Sequence, residues 1–191
     1  MRKSRQETAQ TRQRIVEAAS VEFRLNGIDG TGLAGLMAAA GLTHGGFYRH
    51  FESKDQVVAQ ACEVAVESLV TELAGVGEVG GFDALVSHYL STEHRDALEK
   101  SCPYAALGGE LVRSEQEVRE VATQGLERVI DMLTAQAEPE EGDAARARAV
   151  VTFCTMMGAL TLSRMVSRPE LSVEILETAR GHLTLSSSST N

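Results

Sequence analysis

Apolar residues recur at every third or fourth position along most of the chain, and this spacing limits the possible folds more than any other feature. It is the period of a helix with one buried face, whereas a half-buried strand alternates apolar and polar residues. No window of six alternating residues flanked by turn residues is present. The sequence therefore predicts an all-α protein.

Glycines, prolines and capping residues divide this pattern into helices. The predicted helices cover approximately residues 8–26, 33–40, 43–50, 53–74, 82–99, 103–112, 116–135, 143–167 and 170–185. Gly27 and Gly41 suit the backbone of helix ends, and Ser53 with Gln56 forms a capping box. The glycines within residues 75–81 are predicted to end the fourth helix at a hinge. We predict an acidic loop over residues 137–142 and a disordered tail over residues 186–191.

Charge is distributed unevenly between the two parts of the chain. The net charge is -9, but residues 1–54 carry eight Lys or Arg against five Asp or Glu, a net of +3, which leaves -12 for the rest. A basic head on an acidic body is typical of a DNA-binding module, although charge alone also fits a solvated basic arm. We therefore divide the chain into a head, residues 1–54, and a body, residues 55–185.

Residues 40–55, AGLTHGGFYRHFESKD, carry the pattern that indicates function. The second and third predicted helices with the short turn between them form a helix-turn-helix, which is a DNA-binding geometry. Leu42, Phe47 and Phe51 are spaced to anchor the third helix on the first two. The outward positions are Thr43, His44, Gly45, Gly46, Tyr48, Arg49 and His50. The predicted phosphate donors are Thr43, Tyr48, His50 and Lys54. Two glycines cost about 1 kcal/mol each of helix stability, and close approach to DNA would explain them.

This segment resembles the recognition helix and following helix cap of the TetR family of repressors. The family typically has an Ala-Gly turn, Ser or Thr, a Phe-Tyr or Leu-Tyr pair, and Ser-Lys-Asp or Ser-Lys-Glu. The resemblance covers about residues 11–58. It implies about nine helices, a homodimer, and a repressor that a small-molecule effector releases from near-palindromic double-stranded operator DNA. It also implies phosphate contacts from the four donors above and base-facing positions at His44 and Gly45.

Two residues depart from the family pattern. Gly32 stands where the family usually has a Ser or Thr that caps the second helix, and Met37 stands where it usually has a small residue. Glycine is a tolerable N-cap, and Thr31 is predicted to supply the hydroxyl and is included among the predicted DNA-binding residues. We expect a slightly altered crossing of the two helices and a functional head.

The body is expected to hold its effector in a largely apolar cavity with few polar groups. The candidate residues are His88, Tyr89, Tyr104, Leu107, Phe153, Cys154 and Met157. Helical spacing of this kind is more often that of core residues, and His88 beside Tyr89 also suits a structural pair. Residues 156–159 fit either an adaptable pocket or close packing against a second subunit. The resemblance places the dimer interface on the last two helices.

Cys102 precedes Pro103 at the predicted start of a helix, where the dipole and free N–H groups favour a thiolate. This position raises the hypothesis of a redox sensor. Glu99 and the absence of a nearby resolving cysteine favour an inert, half-buried thiol instead. The three cysteines form no CxxC pair, so neither a disulfide framework nor a metal site is predicted.

Several classes of protein are excluded or disfavoured by missing patterns. No metalloprotease, catalytic-triad, paired-carboxylate or phosphate-loop pattern is present, so neither an enzyme nor a cofactor is predicted. No apolar run approaches the ~20 residues that span a bilayer, and the polar N-terminal residues do not resemble a signal peptide, so we expect a cytoplasmic protein. The alternatives are a ligand-binding protein or enzyme with a relic head, and an activator without an effector.

Overall fold

The computed structural model describes residues 5–136 and 143–188, which are helical and contain no strand. The elements are α1 (Arg5–Asn26), α2 (Leu33–Ala39), the 3-10 helix η1 (His44–Arg49), α3 (Lys54–Tyr89), α4 (Thr92–Asp96), the 3-10 helix η2 (Leu98–Lys100), α5 (Pro103–Leu111), α6 (Gln116–Thr134), α7 (Asp143–Met165) and α8 (Pro169–Ser188). The predicted all-α class is confirmed.

Buried apolar side chains form two clusters. The first joins α1, α2, η1 and the beginning of α3, and includes Ile15, Phe23 and Phe47. Leu107 of α5 also belongs to it. The second lies between the later part of α3 and α5 to α8, and Tyr104 packs against both clusters. Head and body are therefore in continuous apolar contact along α3 and α5.

Helix α3 is longer than predicted. Gly75, Gly77 and Gly80 lie within it, and the helical conformation is interrupted only at Gly81, with φ 74° and ψ -173°. A helical glycine costs only about 1 kcal/mol relative to alanine, so packing on either side overrides the propensity. Gly77 is buried, and Gln136 lies close to it: a Cβ at Gly77 would stand 3.0 Å from Oε1 of Gln136. The predicted break among these glycines is therefore present at Gly81, whereas Gly75, Gly77 and Gly80 do not end the helix.

The helix predicted over 82–99 is also divided differently. It ends at Tyr89, and the Ser91 hydroxyl accepts a hydrogen bond of 3.1 Å from the His94 N–H, which begins α4. A serine that caps a new helix competes with continuation of the preceding one.

The last helix is longer than the sequence predicts. Helix α8 reaches Ser188 and so includes residues 186–188 of the predicted tail. Serine is only modestly worse than alanine in a helix, and helix ends extend easily by a turn. Residues 189–191 and the predicted acidic loop lie outside the described residues. No helix among the described residues is both long and apolar enough to cross a membrane.

Candidate nucleic-acid interface

A tight turn connects α2 to η1. Gly41 has φ 68°, its N–H donates to the Ala38 carbonyl (2.9 Å), and the Leu42 N–H donates to the Met37 carbonyl (2.8 Å). These two bonds form a Schellman motif, which ends α2 and reverses the chain. The predicted helix-turn-helix is therefore present, with Gly41 in the left-handed conformation.

The second helix of this motif is a 3-10 helix and not the predicted α-helix. It spans six residues, His44–Arg49, and Gly45 and Gly46 occupy its first turn. Thr43 is at the N-cap position with extended backbone, but its side chain makes no capping hydrogen bond. Glycine lowers helix stability and 3-10 geometry suits short segments, so this segment forms the tighter helix.

Two phenylalanines anchor η1 as the sequence predicted. Phe47 is 0% exposed and Phe51 is 2% exposed, and their rings stack at 5.6 Å between centroids. Tyr48 packs edge-on against Phe47 at 5.2 Å but is 70% exposed. Burial of alternate aromatic rings fixes which side of η1 faces solvent.

Most of the predicted DNA-binding residues between positions 43 and 50 lie on one exposed face of η1. The exposed residues are Thr43, His44, Gly45, Tyr48 and Arg49, whereas Gly46 and His50 are half-buried. This surface combines hydroxyl, imidazole and guanidinium donors with the small glycines. Donors of this kind hydrogen-bond to phosphates and base edges.

Two of the predicted DNA-binding residues have other partners. Thr31 is buried and its hydroxyl donates to the Gly27 carbonyl at 2.7 Å, while Gly32 caps α2 without any side-chain bond. The prediction that Thr31 supplies the capping hydroxyl is wrong, because this hydroxyl is hydrogen-bonded to Gly27 within the turn that follows α1. Lys54 is half-buried and its ammonium donates to the Ile28 carbonyl. An ammonium has three donors, so a phosphate contact from Lys54 stays a prediction.

Two arginines of α1 donate hydrogen bonds to backbone carbonyls of the same motif, and neither contact was predicted. Arg12 donates from Nη1 to the His50 carbonyl, and its guanidinium lies 4.1 Å from the centroid of the Phe51 ring. Arg14 donates from Nη2 to the Ala40 carbonyl at 2.6 Å. In the sequence both count only as positive charges. Their acceptors lie 38 and 26 residues away, which no local pattern indicates.

Comparison with known proteins supports this assignment of the head. Residues 15–61 match the family model described as bacterial regulatory proteins, tetR family. The transcriptional regulator AcrR of Shigella flexneri is 38% identical over 72 residues, which are 38% of this chain and 33% of that protein. TtgR of Pseudomonas putida is 38% identical over 58 residues, which are 30% of this chain and 28% of that protein. The matched segments thus span about a third of these relatives.

Solved structures extend the likeness over the whole chain. A TetR transcriptional regulator from Chloroflexus aurantiacus is 28% identical with a TM-score of 0.75, covering 93% of this chain and 94% of that one. The TetR-family regulator from Cytophaga hutchinsonii shares the fold with a TM-score of 0.78 at 20% identity, covering 95% and 97%. The head of the chain is therefore similar to that of tetR-family regulators, and the whole chain shares the fold of the two solved TetR regulators.

The body of the chain brings together three of the predicted pocket residues. The rings of Tyr104 and Phe153 are 5.8 Å apart and those of Tyr89 and Phe153 are 6.4 Å apart, all in edge-on contact. Tyr104 donates its hydroxyl to the Ala122 carbonyl at 2.8 Å. Burial raises the pKa of both tyrosines, so their hydroxyls stay protonated at neutral pH.

The other four predicted pocket residues differ in burial. His88 is exposed and pairs with Glu72 at 2.7 Å, and Cys154 is also exposed. Each is adjacent in sequence to a buried aromatic residue, and consecutive helical residues point about 100° apart. Leu107 belongs to the first core cluster, and Met157 is half-buried. The exposed side chains of His88 and Cys154 therefore lie outside the buried aromatic group, and pocket roles for Leu107 and Met157 stay predictions.

Cys102 occupies the predicted N-cap of α5 but is completely buried. Burial raises the pKa of its thiol, and this effect exceeds the lowering by nearby backbone N–H groups, the Tyr89 side chain and Arg164. A buried, protonated thiol is inert towards oxidants. Burial of Cys102 therefore favours the inert thiol over the redox sensor, and the redox-sensor hypothesis stays a prediction.

Ser101 connects the head of the chain to the body. Its carbonyl accepts a hydrogen bond from Arg24 of α1 at 3.3 Å, and its hydroxyl accepts one from Arg164 of α7. Arg164 also donates to the carbonyls of His94 (2.7 Å) and Arg95 (2.9 Å). The two guanidiniums thus hold the segment before α5 from opposite sides.

The other end of α5 is bound to the head as well. The Glu110 carboxylate accepts a hydrogen bond from the Asp29 N–H at 2.9 Å, in the turn that follows α1. Gly27 in this turn has φ 78°, and a Cβ there would stand 3.0 Å from the Glu110 carboxylate. The segment from Ser101 to Glu110 is therefore bound to the end of α1 and to the turn that follows it. Both contacts were missed from sequence because their partners are distant.

Proposed function

We propose that this chain is a sequence-specific DNA-binding transcription regulator, and that it is a repressor which a small-molecule effector releases from a near-palindromic operator. The observation that carries the proposal is the exposed polar face of η1, held on a helix-turn-helix by Phe47 and Phe51. Each relative described above is named as a transcriptional regulator. The separation of charge into a basic head and an acidic body favours approach to DNA by the head.

A homodimer is supported by the apolar surface of α7 and α8. Large apolar side chains are exposed there in the single chain: Val150, Val151, Leu162, Met165 and Leu185. Met165 is 72% exposed and Val151 is 62% exposed, and a second copy of the same surface would cover both. A two-fold dimer presents two copies of η1 to two half-sites about 34 Å apart, one turn of DNA.

Effector control is supported by the position of α5. Tyr104 of the aromatic group belongs to α5. Ser101, just before α5, accepts a hydrogen bond from Arg24 of α1, and Glu110 of α5 accepts one from the turn that follows α1. An effector that displaces α5 would move the head and change the spacing of the two η1 helices. Such an effector must bind the released state more tightly than the DNA-bound state, because equal affinities shift no equilibrium.

The proposal is tested by selecting genomic DNA fragments that bind the purified protein. We expect enrichment of a short near-palindrome whose half-sites are centred about one helical turn apart. A variant with Tyr48→Ala and Arg49→Ala keeps both phenylalanine anchors and serves as the matched control, which should recover no enriched site. If the wild-type protein enriches no site either, the head does not bind DNA specifically and the proposal fails.

A further inference from the structure

The short helix η1 cannot hold its own orientation. It has six residues, two of them glycine, and its N-cap side chain makes no hydrogen bond. Isolated helices of this length are marginal in water, and each glycine lowers their stability further. The orientation of Tyr48 and Arg49 towards DNA therefore depends on contacts from outside η1.

Arg12 supplies such a contact at the C-terminal end of η1. Its Nη1 donates to the carbonyl of His50, which is the C-cap residue of η1. A cation at this end interacts favourably with the negative end of the helix dipole. The same guanidinium covers the face of Phe51 with 4.1 Å to the ring centroid, a cation–π geometry.

The contact continues from Arg12 to the exposed face. Phe51 stacks on Phe47, and Tyr48 packs edge-on against Phe47. Each ring restricts the next, so the guanidinium of Arg12 and the outward ring of Tyr48 are connected through two buried aromatic side chains. Arg14 makes a parallel contact two residues further along α1, where it binds the Ala40 carbonyl at the end of α2. Helix α1 thus holds both helices of the motif at their C-terminal ends.

We propose that Arg12 is a positioning residue for operator binding, which orients η1 through His50 and Phe51 and makes no contact with DNA itself. This inference rests on the proposed function, because it concerns binding to an operator. It separates Arg12 from Arg49, which is exposed on the outward face of η1.

Salt dependence distinguishes a positioning residue from a phosphate contact. The logarithm of the binding constant falls linearly with the logarithm of the salt concentration, with a slope of about 0.9 for each phosphate contact. Removing a side chain that neutralises one phosphate makes this slope shallower by about 0.9. Removing a side chain that only orients other groups lowers the affinity and leaves the slope unchanged, because the long, exposed side chain of Arg49 is still present to neutralise its phosphate.

The experiment measures fluorescence anisotropy on the operator recovered by selection, across a salt series, for wild type, Arg12→Gln and Arg49→Gln. We expect Arg12→Gln to bind at least about tenfold more weakly with the wild-type slope. Arg49→Gln, the matched control, should show a shallower slope. Affinity equal to wild type in Arg12→Gln, or a slope as shallow as that of Arg49→Gln, overturns the proposal.

A second variant covers the case in which Arg12→Gln does not fold, which circular dichroism reports. Arg12→Lys keeps the charge but lacks the planar guanidinium that covers Phe51. We expect it to bind more weakly at an unchanged slope, and wild-type affinity in this variant overturns the proposal. Absence of a steep slope in the wild-type protein would instead contradict the proposed function, so the two failures are distinguishable.

Discussion

The side chain of Met37 in α2 lies against Gly46 of η1, such that a Cβ on Gly46 would stand 3.5 Å from the Met37 Cε atom. This separation is an ordinary van der Waals contact. Met37 is fully buried, so its large side chain occupies the space that the glycine leaves between the two helices. The departure of Met37 from the family pattern is thus matched by a small residue on the helix that it contacts.

Gly45 has different surroundings and allows a test of close approach to DNA. It is exposed, its φ is not positive, and no atom lies within 4 Å of the position of a Cβ. We expect Gly45→Ala to leave the free energy of unfolding unchanged or to raise it by up to about 1 kcal/mol. Operator affinity should fall at least about tenfold, because the added methyl group enters the interface.

Gly109→Ala is the control for this prediction, since Gly109 in α5 is also exposed with open space at its Cβ position. It should have the same small effect on urea unfolding and no effect on anisotropy with operator DNA. Wild-type operator affinity in Gly45→Ala would show that the glycine is not required for close approach.

If the apolar surface of α7 forms the proposed dimer interface, a charged residue placed on this surface should weaken the dimer. Val151→Glu should weaken the dimer at least about a hundredfold, because a carboxylate would be removed from water without a partner. Val79→Glu is the matched control, since Val79 is 93% exposed and lies on α3. Sedimentation velocity over a concentration series checks both variants. Wild-type dimerisation of Val151→Glu would place the interface elsewhere.

The three cysteines should differ in reactivity. Burial raises the pKa of Cys62 to about 11 and also raises that of Cys102, whereas Cys154 is exposed on α7. We expect a thiol reagent to modify only Cys154 in native protein, and to modify it faster in monomeric Val151→Glu than in the wild-type dimer. Cys62 and Cys102 should react only after denaturation. Mass spectrometry that found Cys102 modified in the native protein would support the redox-sensor hypothesis.

His94 predicts a specific pH dependence of stability. Its Nδ1 lies 2.8 Å from the Tyr89 carbonyl, and its Nε2 accepts the Cys102 N–H at 3.3 Å. Burial lowers the pKa of His94, and the cation of Arg164 lowers it further. The unfolded chain, with a histidine pKa of about 6.5, therefore binds more protons than the folded chain just below that pH. Stability should be complete above about pH 6.5 and should decrease as the pH falls towards the folded-state pKa.

Urea unfolding at a series of pH values checks this prediction. His94→Gln should flatten the dependence below about pH 6.5, since glutamine does not titrate. His88→Gln serves as the control, because His88 is exposed and its pair with Glu72 contributes little. An identical pH dependence in His94→Gln and wild type would show that His94 is not responsible.

The spacing of apolar residues, together with the residues that begin and end helices, predicted most of the fold. The period of Ile15, Ala19 and Phe23 identified the buried face of α1, and Gly41 identified the end of α2, because both signals act within a few residues. The 3-10 geometry of η1 and the continuation of α3 through Gly75 were not predicted. In both cases tertiary packing decides between conformations of similar local free energy.

The sequence predicted the exposed surface of the candidate site but not the contacts that support it. The exposed residues of η1 follow from the buried positions of Phe47 and Phe51. The roles of Arg12, Arg24 and Arg164 do not, because each donates to a backbone carbonyl that is distant in sequence. Any residue type supplies a carbonyl, so no side-chain pattern records these contacts.

The most direct test of the account is the salt dependence of operator binding by the wild-type dimer. If each subunit makes about four phosphate contacts, the slope of the logarithm of the binding constant against that of the salt concentration should be near -7. Fluorescence anisotropy on the selected near-palindrome should give this steep slope together with nanomolar affinity at moderate salt. A slope near -1, with weak binding only at low salt, would contradict the proposal that the head grips operator DNA.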